Sequence, residues 1–202
     1  MSKIFVTSNL QLGRPTAIKK YKRNFKNVDE MTDVLINNWN SVVTKQDTVY
    51  HLGNFAHDPK TAQEATLKLN GTIKFILGEF DQSLEMLNDK NMLRPGVTLM
   101  KCIEMENSDI SALSYWPLGY WPNKNKKWFS VIGYPAKTFK SDPKKRIINA
   151  STDLWGHKPQ ELSKIVIGGL ALLGIGVVIY QWRKYSDKLA NETKKARPLV
   201  GS

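Results

Sequence analysis

Chemistry in this chain is concentrated where short apolar runs meet glycine. Ser8-Asn9-Leu10-Gln11-Leu12-Gly13, Leu52-Gly53-Asn54, Leu77-Gly78-Glu79-Phe80-Asp81 and Ile132-Gly133-Tyr134-Pro135-Ala136 each read as the carboxyl end of a strand entering a loop. Leu113-Ser114-Tyr115-Trp116-Pro117-Leu118 is similarly placed. In open α/β proteins, ligands gather at the carboxyl ends of strands. The side chains offered there are poor reagents. Asn9, Gln11 and Asn54 supply amide oxygens, which are weak neutral ligands. Tyr115 and Tyr134 are phenols that stay protonated at neutral pH. Phe80 and Ala136 offer no lone pair. Only Glu79 and Asp81 are carboxylates, so the set suits at most one weakly held ion.

The remaining nucleophiles and ligands are isolated. His51, His57 and His157 show no His-x-His or His-x-x-x-His spacing, so a structural or surface role is expected for each. Nothing favours a Ser-His-Asp arrangement. Cys102 is the sole cysteine, which excludes an internal disulfide framework and a cysteine-rich zinc site. It lies in the apolar run Val97–Ile103, where a buried inert thiol is expected. A different kind of site is offered by WPLGYWPNKNKKW, in which Trp116, Trp121 and Trp128 flank Lys124, Lys126 and Lys127. Aromatics interleaved with lysines can dock on a membrane interface, a protein partner or unstacked bases. The plainer expectation is a loop packed over the cleft.

Strands and helices must alternate to bring these loops together. The periodicities predict strands at Lys3–Ser8, Thr48–Leu52 and Thr72–Leu77, and helices at Val28–Val43, Thr61–Leu69 and near Ser83–Asn88. Further strands are expected near Val97–Ile103, Ile110–Ser114, Trp128–Ile132 and Arg146–Ala150. Glu106-Asn107-Ser108-Asp109 reads as a hairpin turn. The stretch with Gly13 and Pro15 reads as a loop. The order is βαβαβ followed mostly by strands, an α/β class, with no internal repeat.

The loop segments, in order and spacing, resemble the motifs of the calcineurin-like metallophosphoesterases, in their small bacterial and phage-type branch. That family's pattern runs S-D-x-H-x-G, H-L-G-D, G-N-H-D, S-H-x-P and G-H-x-H. The resemblance covers roughly residues 3–163, including Ile36–Ser41, Thr48–Ala56 and Ile147–Leu162. It implies a layered sandwich: two β-sheets face to face with helices outside. It also implies that the metal ligands are gone. Asn9 and Gln11 stand at the first Asp and His, and Asn54 at the bridging Asp. Glu79 stands at the ligand Asn, Phe80 at the catalytic His and Tyr115 at the next ligand His. Tyr134 and Ala136 stand at the last His pair. Asp81, a supporting residue, is kept, as are Gly13, Gly53, Gly78, Gly133 and Pro117. The resemblance therefore points to a pseudoenzyme, with no catalytic residue, no metal, no cofactor and no small-molecule substrate.

The chain has 202 residues, 30 Lys+Arg against 18 Asp+Glu, and a net charge of +12. Residues 165–202 hold six basic and two acidic residues, so residues 1–164 are also basic, by a net +8. Such a surface attracts phosphates, in nucleic acid or anionic lipid. Ile165 to Trp182 has 18 residues without a charge, about 27 Å as a helix, close to the hydrocarbon thickness of a bilayer. Ile165, Gly169, Leu173 and Gly176 lie along it, with Tyr180 and Trp182 where belt aromatics belong. The expected organisation is a degenerate phosphoesterase-like domain over 1–164, a transmembrane helix over 165–182 and a basic tail over 183–202. No signal peptide is read at the start.

The expected function is that of a non-catalytic, membrane-anchored structural or assembly protein, single-pass. Its setting would be a virion with a membrane or a subunit of a membrane complex. The expected partners are a membrane and other proteins of a larger assembly. One alternative is a basic binding module for nucleic acid or anionic lipid. Another is a phosphoesterase with a rebuilt site.

Overall fold

The computed structural model describes residues 2–101, 103–104, 110–120, 128–135 and 138–165. Two sheets make the frame. The first has the order β4-β3-β2-β1-β9, from Val97–Met100, Thr72–Ile76, Thr48–Leu52, Ile4–Thr7 and Gln160–Glu161. Its first four members run parallel and β9 is antiparallel to β1. The second has the order β5-β6-β7-β8, from Ile103–Glu104, Ile110–Ser114, Phe129–Ile132 and Ile147–Asn149. Here β5 and β6 are antiparallel, while β6, β7 and β8 are parallel.

Alternation along the strands divides the core in two. Phe5, Val49, Ile73 and Phe75 point to the helices: α2 (Val28–Asn40) brings Met31, Leu35 and Trp39, α3 (Pro59–Lys68) brings Ala62 and Ala65, and α4 (Gln82–Asp89) brings Leu84 and Leu87. Their neighbours Val6, Tyr50, Leu52 and Ile76 point the other way, onto Leu113, Tyr115, Phe129, Val131 and Ile148 of the second sheet. Period-two side-chain direction thus packs the sheets face to face, with helices on the outside of the first. The outer face of the second sheet is covered by Leu118, Tyr134 and Phe139 rather than by a described helix.

Local chemistry starts the helices where the chain needs them. Asn27 caps α2 by accepting from the Glu30 backbone N–H, and Asp58 caps α3 by accepting from that of Thr61, with Pro59 in the first turn. Three elements differ from expectation, one of them β9, which no expected strand covers. Pro15–Tyr21, read as loop, is a short helix, α1; Pro15 at its first position is the signal. The single strand expected over Val97–Ile103 is divided, β4 in one sheet and β5 in the other, so the chain crosses between sheets there. The hairpin turn expected at Glu106–Asp109 lies outside the described residues, between the antiparallel β5 and β6.

The expected membrane span requires correction, and with it the single-pass membrane localisation. No helix among the described residues is long and apolar enough to cross a membrane. Ile165, its first residue, is fully buried in the core between the two sheets, on helical backbone that follows β9. An apolar residue there is explained by packing within the domain. Gly169, Leu173, Gly176, Tyr180 and Trp182 lie outside the described residues.

Candidate functional site

Three loops converge at the carboxyl ends of β1, β2 and β3, as parallel register demands. Beyond the strands, Asn9 N–H donates to Gly53 O at 2.9 Å, Gln11 N–H to Asn54 O at 3.0 Å and Leu12 N–H to Phe55 O at 2.9 Å. Asn9, Gln11 and Asn54 all have left-handed backbone, φ 57°, 51° and 61°. Asparagine tolerates this conformation better than other non-glycine residues. The turns aim the two Asn side chains at one another.

The result is a closed amide network. Asn54 Nδ2 donates to Asn9 Oδ1 at 2.9 Å and to the Tyr115 hydroxyl at 2.9 Å. Asn54 Oδ1 accepts from the Phe80 N–H at 3.1 Å. Asn9 Nδ2 donates to Ser8 Oγ at 3.0 Å and to the Gly133 carbonyl at 2.5 Å. Asn9, Asn54 and Tyr115 are all buried. Burial pushes the Tyr115 phenol well above its usual range, so its proton stays on. Buried polar groups are costly unless bonded, and here the two amides are satisfied by each other and by their surroundings. Carboxylates at both positions 9 and 54 would instead oppose two negative oxygens.

Beneath the network, Asp81 holds the loops. Its Oδ2 accepts from the N–H of Asn54 at 2.7 Å and of Gly78 at 2.7 Å, and its Oδ1 from that of Phe55 at 2.8 Å. Burial raises the carboxyl above its usual range, with the three N–H donors opposing. Both oxygens are engaged. Glu79 is exposed.

This donor set does not fit a pair of divalent ions. The Asn9 and Asn54 oxygens already accept hydrogen bonds, Tyr115 is protonated, and Asp81 serves backbone amides. Among the described residues no three His, Cys, Asp or Glu side chains converge as metal ligands. Gln11 is engaged as well, its Oε1 accepting from Arg14 Nη1 at 3.5 Å. Its Nε2 donates to the Tyr21 hydroxyl at 2.9 Å.

Over 169 residues the chain is 31% identical to the uncharacterized protein MJ1445 of Methanocaldococcus jannaschii, covering 82% of this chain and 90% of that one. The chain belongs to the MJ1445 family. No family model matches it. The crystal structure of AQ665 from Aquifex aeolicus, a protein of unknown function, shares the fold of this MJ1445-family chain. The TM-score is 0.59 at 20% identity, covering 82% of this chain and 98% of that one.

In this MJ1445-family chain, the structure brings Asn9, Asn54, Phe80 and Tyr115 together, and packs Tyr134 on Tyr115 with ring centres 5.6 Å apart. Trp116 lies half exposed, at 51%, with its ring 4.9 Å from Tyr115 and 5.2 Å from Tyr134. Trp128 is half-buried. Ala136, Trp121, Lys126, Lys127 and Cys102 lie outside the described residues. Sequence reasoning missed Arg23, which is buried. Its Nε donates to Asp153 Oδ1 at 2.7 Å and its two terminal nitrogens reach the carbonyls of Leu10 at 2.8 Å and Asn9 at 2.6 Å. It fixes the backbone of the first loop. No local signal marks it, because Asp153 is 130 residues away.

The histidines do not join the site. His57 is exposed, and His157 lies half-buried against Phe25. His51 is fully buried between Phe55 and Phe75, and neither ring nitrogen has a partner among the described residues. Burial lowers its pKa from 6.5 to about 3. The unfolded chain therefore takes up a proton near pH 6.5 that the folded chain refuses. The contribution is present in full above that pH and is lost at about 1.4 kcal/mol per unit as pH falls towards 3. In urea melts between about pH 7 and 5, His51→Leu should remove this slope and match or exceed the parent stability at the acid end. An unchanged pH slope would refute the assignment.

Proposed function

We propose that this chain is a pseudoenzyme: a non-catalytic structural or assembly protein on a metallophosphoesterase-like scaffold, acting through protein partners rather than turnover. The observation that carries the reading is the donation from Asn54 Nδ2 to both Asn9 Oδ1 and the Tyr115 hydroxyl. By the resemblance, those three positions would hold metal ligands. Here they hold one another. An active phosphoesterase of the two-metal kind needs anionic ligands to clamp its ions and activate water. The loops, the Asp81 brace and the strand order supply the scaffold, while the lone pairs that would do chemistry are spent on internal hydrogen bonds.

The test is metal analysis of the purified full chain together with a phosphodiesterase assay in manganese. The expected result is no stoichiometric tightly bound metal and no turnover. Asn54→Asp, which restores one carboxylate, should also show none, because the other ligands are still absent. Two tightly bound ions per chain, or turnover that Glu79→Ala abolishes, would overturn the reading.

A further inference from the structure

Residues 14–26, RPTAIKKYKRNFK, contain six cations and no acid. One of the six, Arg23, spends its charge inward on Asp153. Lys19, Lys20, Lys22 and Lys26 are exposed, Arg14 is half-buried, and none of the five is in a salt bridge among the described residues. Carboxylates resume at Asp29 and Glu30; the Glu30 carboxylate accepts from the backbone N–H of Lys26, and the Glu30 N–H donates to Asn27 Oδ1. Two of the five cations, Arg14 and Lys20, lie against aromatic rings. The Arg14 guanidinium lies 4.4 Å above the centre of the Phe80 ring. Lys20 Nζ is 5.9 Å from the same ring and 5.4 Å from that of Tyr21. Gln11 joins Tyr21 to the first loop.

Like charges this close repel, and folding alone gains little from them beyond the favourable end of α1. A phosphate chain would relieve the repulsion by releasing counterions. The planar guanidinium on Phe80 and the partly exposed Tyr21 ring add planes on which bases stack. An anionic bilayer fits less well, because a helix that lies on lipid buries large apolar side chains. The exposed positions of α1 are Pro15, Thr16, Lys19 and Lys20. We propose that α1 and the segment to Lys26, with Arg14 on Phe80 at its edge, form a docking surface for single-stranded nucleic acid. The surface adjoins the amide network at Phe80, whose backbone N–H donates to Asn54, but it uses the Phe80 ring and does not depend on the non-catalytic reading.

The test is fluorescence anisotropy of the full chain with a labelled oligothymidylate of about 20 nucleotides. If the four exposed lysines each meet a phosphate, the log–log salt slope is about −3, and affinity falls about fiftyfold between about 50 and 200 mM salt. The triple variant Lys19→Ala/Lys20→Ala/Lys22→Ala changes only exposed side chains. It should keep the circular dichroism of the parent and flatten the slope by about two units. Phe80→Ala should weaken binding about fivefold or more with the slope unchanged. Absence of saturable binding at about 50 mM salt, or an unaltered slope in the triple variant, overturns the proposal. So does binding to phosphatidylserine vesicles without binding to the oligonucleotide. Cleavage of the oligonucleotide in manganese would instead overturn the non-catalytic reading and leave the docking surface standing.

Discussion

Gly133→Ala should lower the stability of the domain by about 3 kcal/mol or more. A Cβ at this position would overlap the Leu52 carbonyl oxygen and come within 2.5 Å of the Leu52 Cβ. Leu52 closes β2 in one sheet, and Gly133 follows β7 in the other. The contact is therefore the point where the two sheets touch backbone to side chain position, and neither strand can retreat without breaking its ladder. The Gly133 carbonyl also receives Asn9 Nδ2, so a shift would open the amide network. Overpacking of this kind costs about 3 kcal/mol or more, against a total stability of about 5–15 kcal/mol for a typical domain. Gly119→Ala is the control, since a Cβ there meets nothing within 4 Å. It should shift the urea midpoint by no more than about 0.5 kcal/mol equivalent. Equal midpoints for the two variants would show that the sheets do not meet as described.

Asp81→Ala should be nearly as severe. Removal of the carboxylate leaves the backbone N–H groups of Asn54, Phe55 and Gly78 facing each other without an acceptor. Each stranded buried donor costs about 1–3 kcal/mol, so a loss of about 3–5 kcal/mol is expected. Asp81→Asn should lose less. Its one oxygen, placed at the Oδ2 position, serves Asn54 and Gly78, and only the Phe55 N–H then meets an opposing donor. The order parent, Asn, Ala in denaturation midpoint is the measurement. If Asn is as damaging as Ala, the brace depends on charge rather than on the count of accepted hydrogen bonds.

The helices and strands with clean periodicity were legible from the sequence. Thr48–Leu52 and Ile110–Ser114 have the predicted limits because alternation and flanking turn residues agree. The strand-end loops carrying Asn9, Asn54, Glu79 and Phe80 were also legible, since apolar runs leading into glycine mark them, and the loop of Tyr115 follows an apolar run that ends at Ser114. The interactions within them were not. An Asn in a loop does not say whether its amide meets solvent, an ion or another amide, and the pairing of Asn9 with Asn54 spans 45 positions. The division of Val97–Ile103 between two sheets escaped notice because a continuous apolar run gives no sign of a crossing. The apolar stretch beginning at Ile165 suggested lipid. Hydropathy alone cannot tell burial in a bilayer from burial between sheets, and Ile165 is buried between sheets.

The first strand waits longest for its partners. Val6 pairs with Gln160, Ser8 with Ser151, and Arg23 with Asp153. As the chain is made, β1 and its loop leave the ribosome well before the residues that lock them, which follow 130 or more positions later. Until then β1 has one open edge, Arg23 has no carboxylate and the second sheet lacks β8. Closure of the domain is therefore tied to the appearance of β8, Asp153 and β9 rather than distributed along the chain, and such high sequence separation slows it.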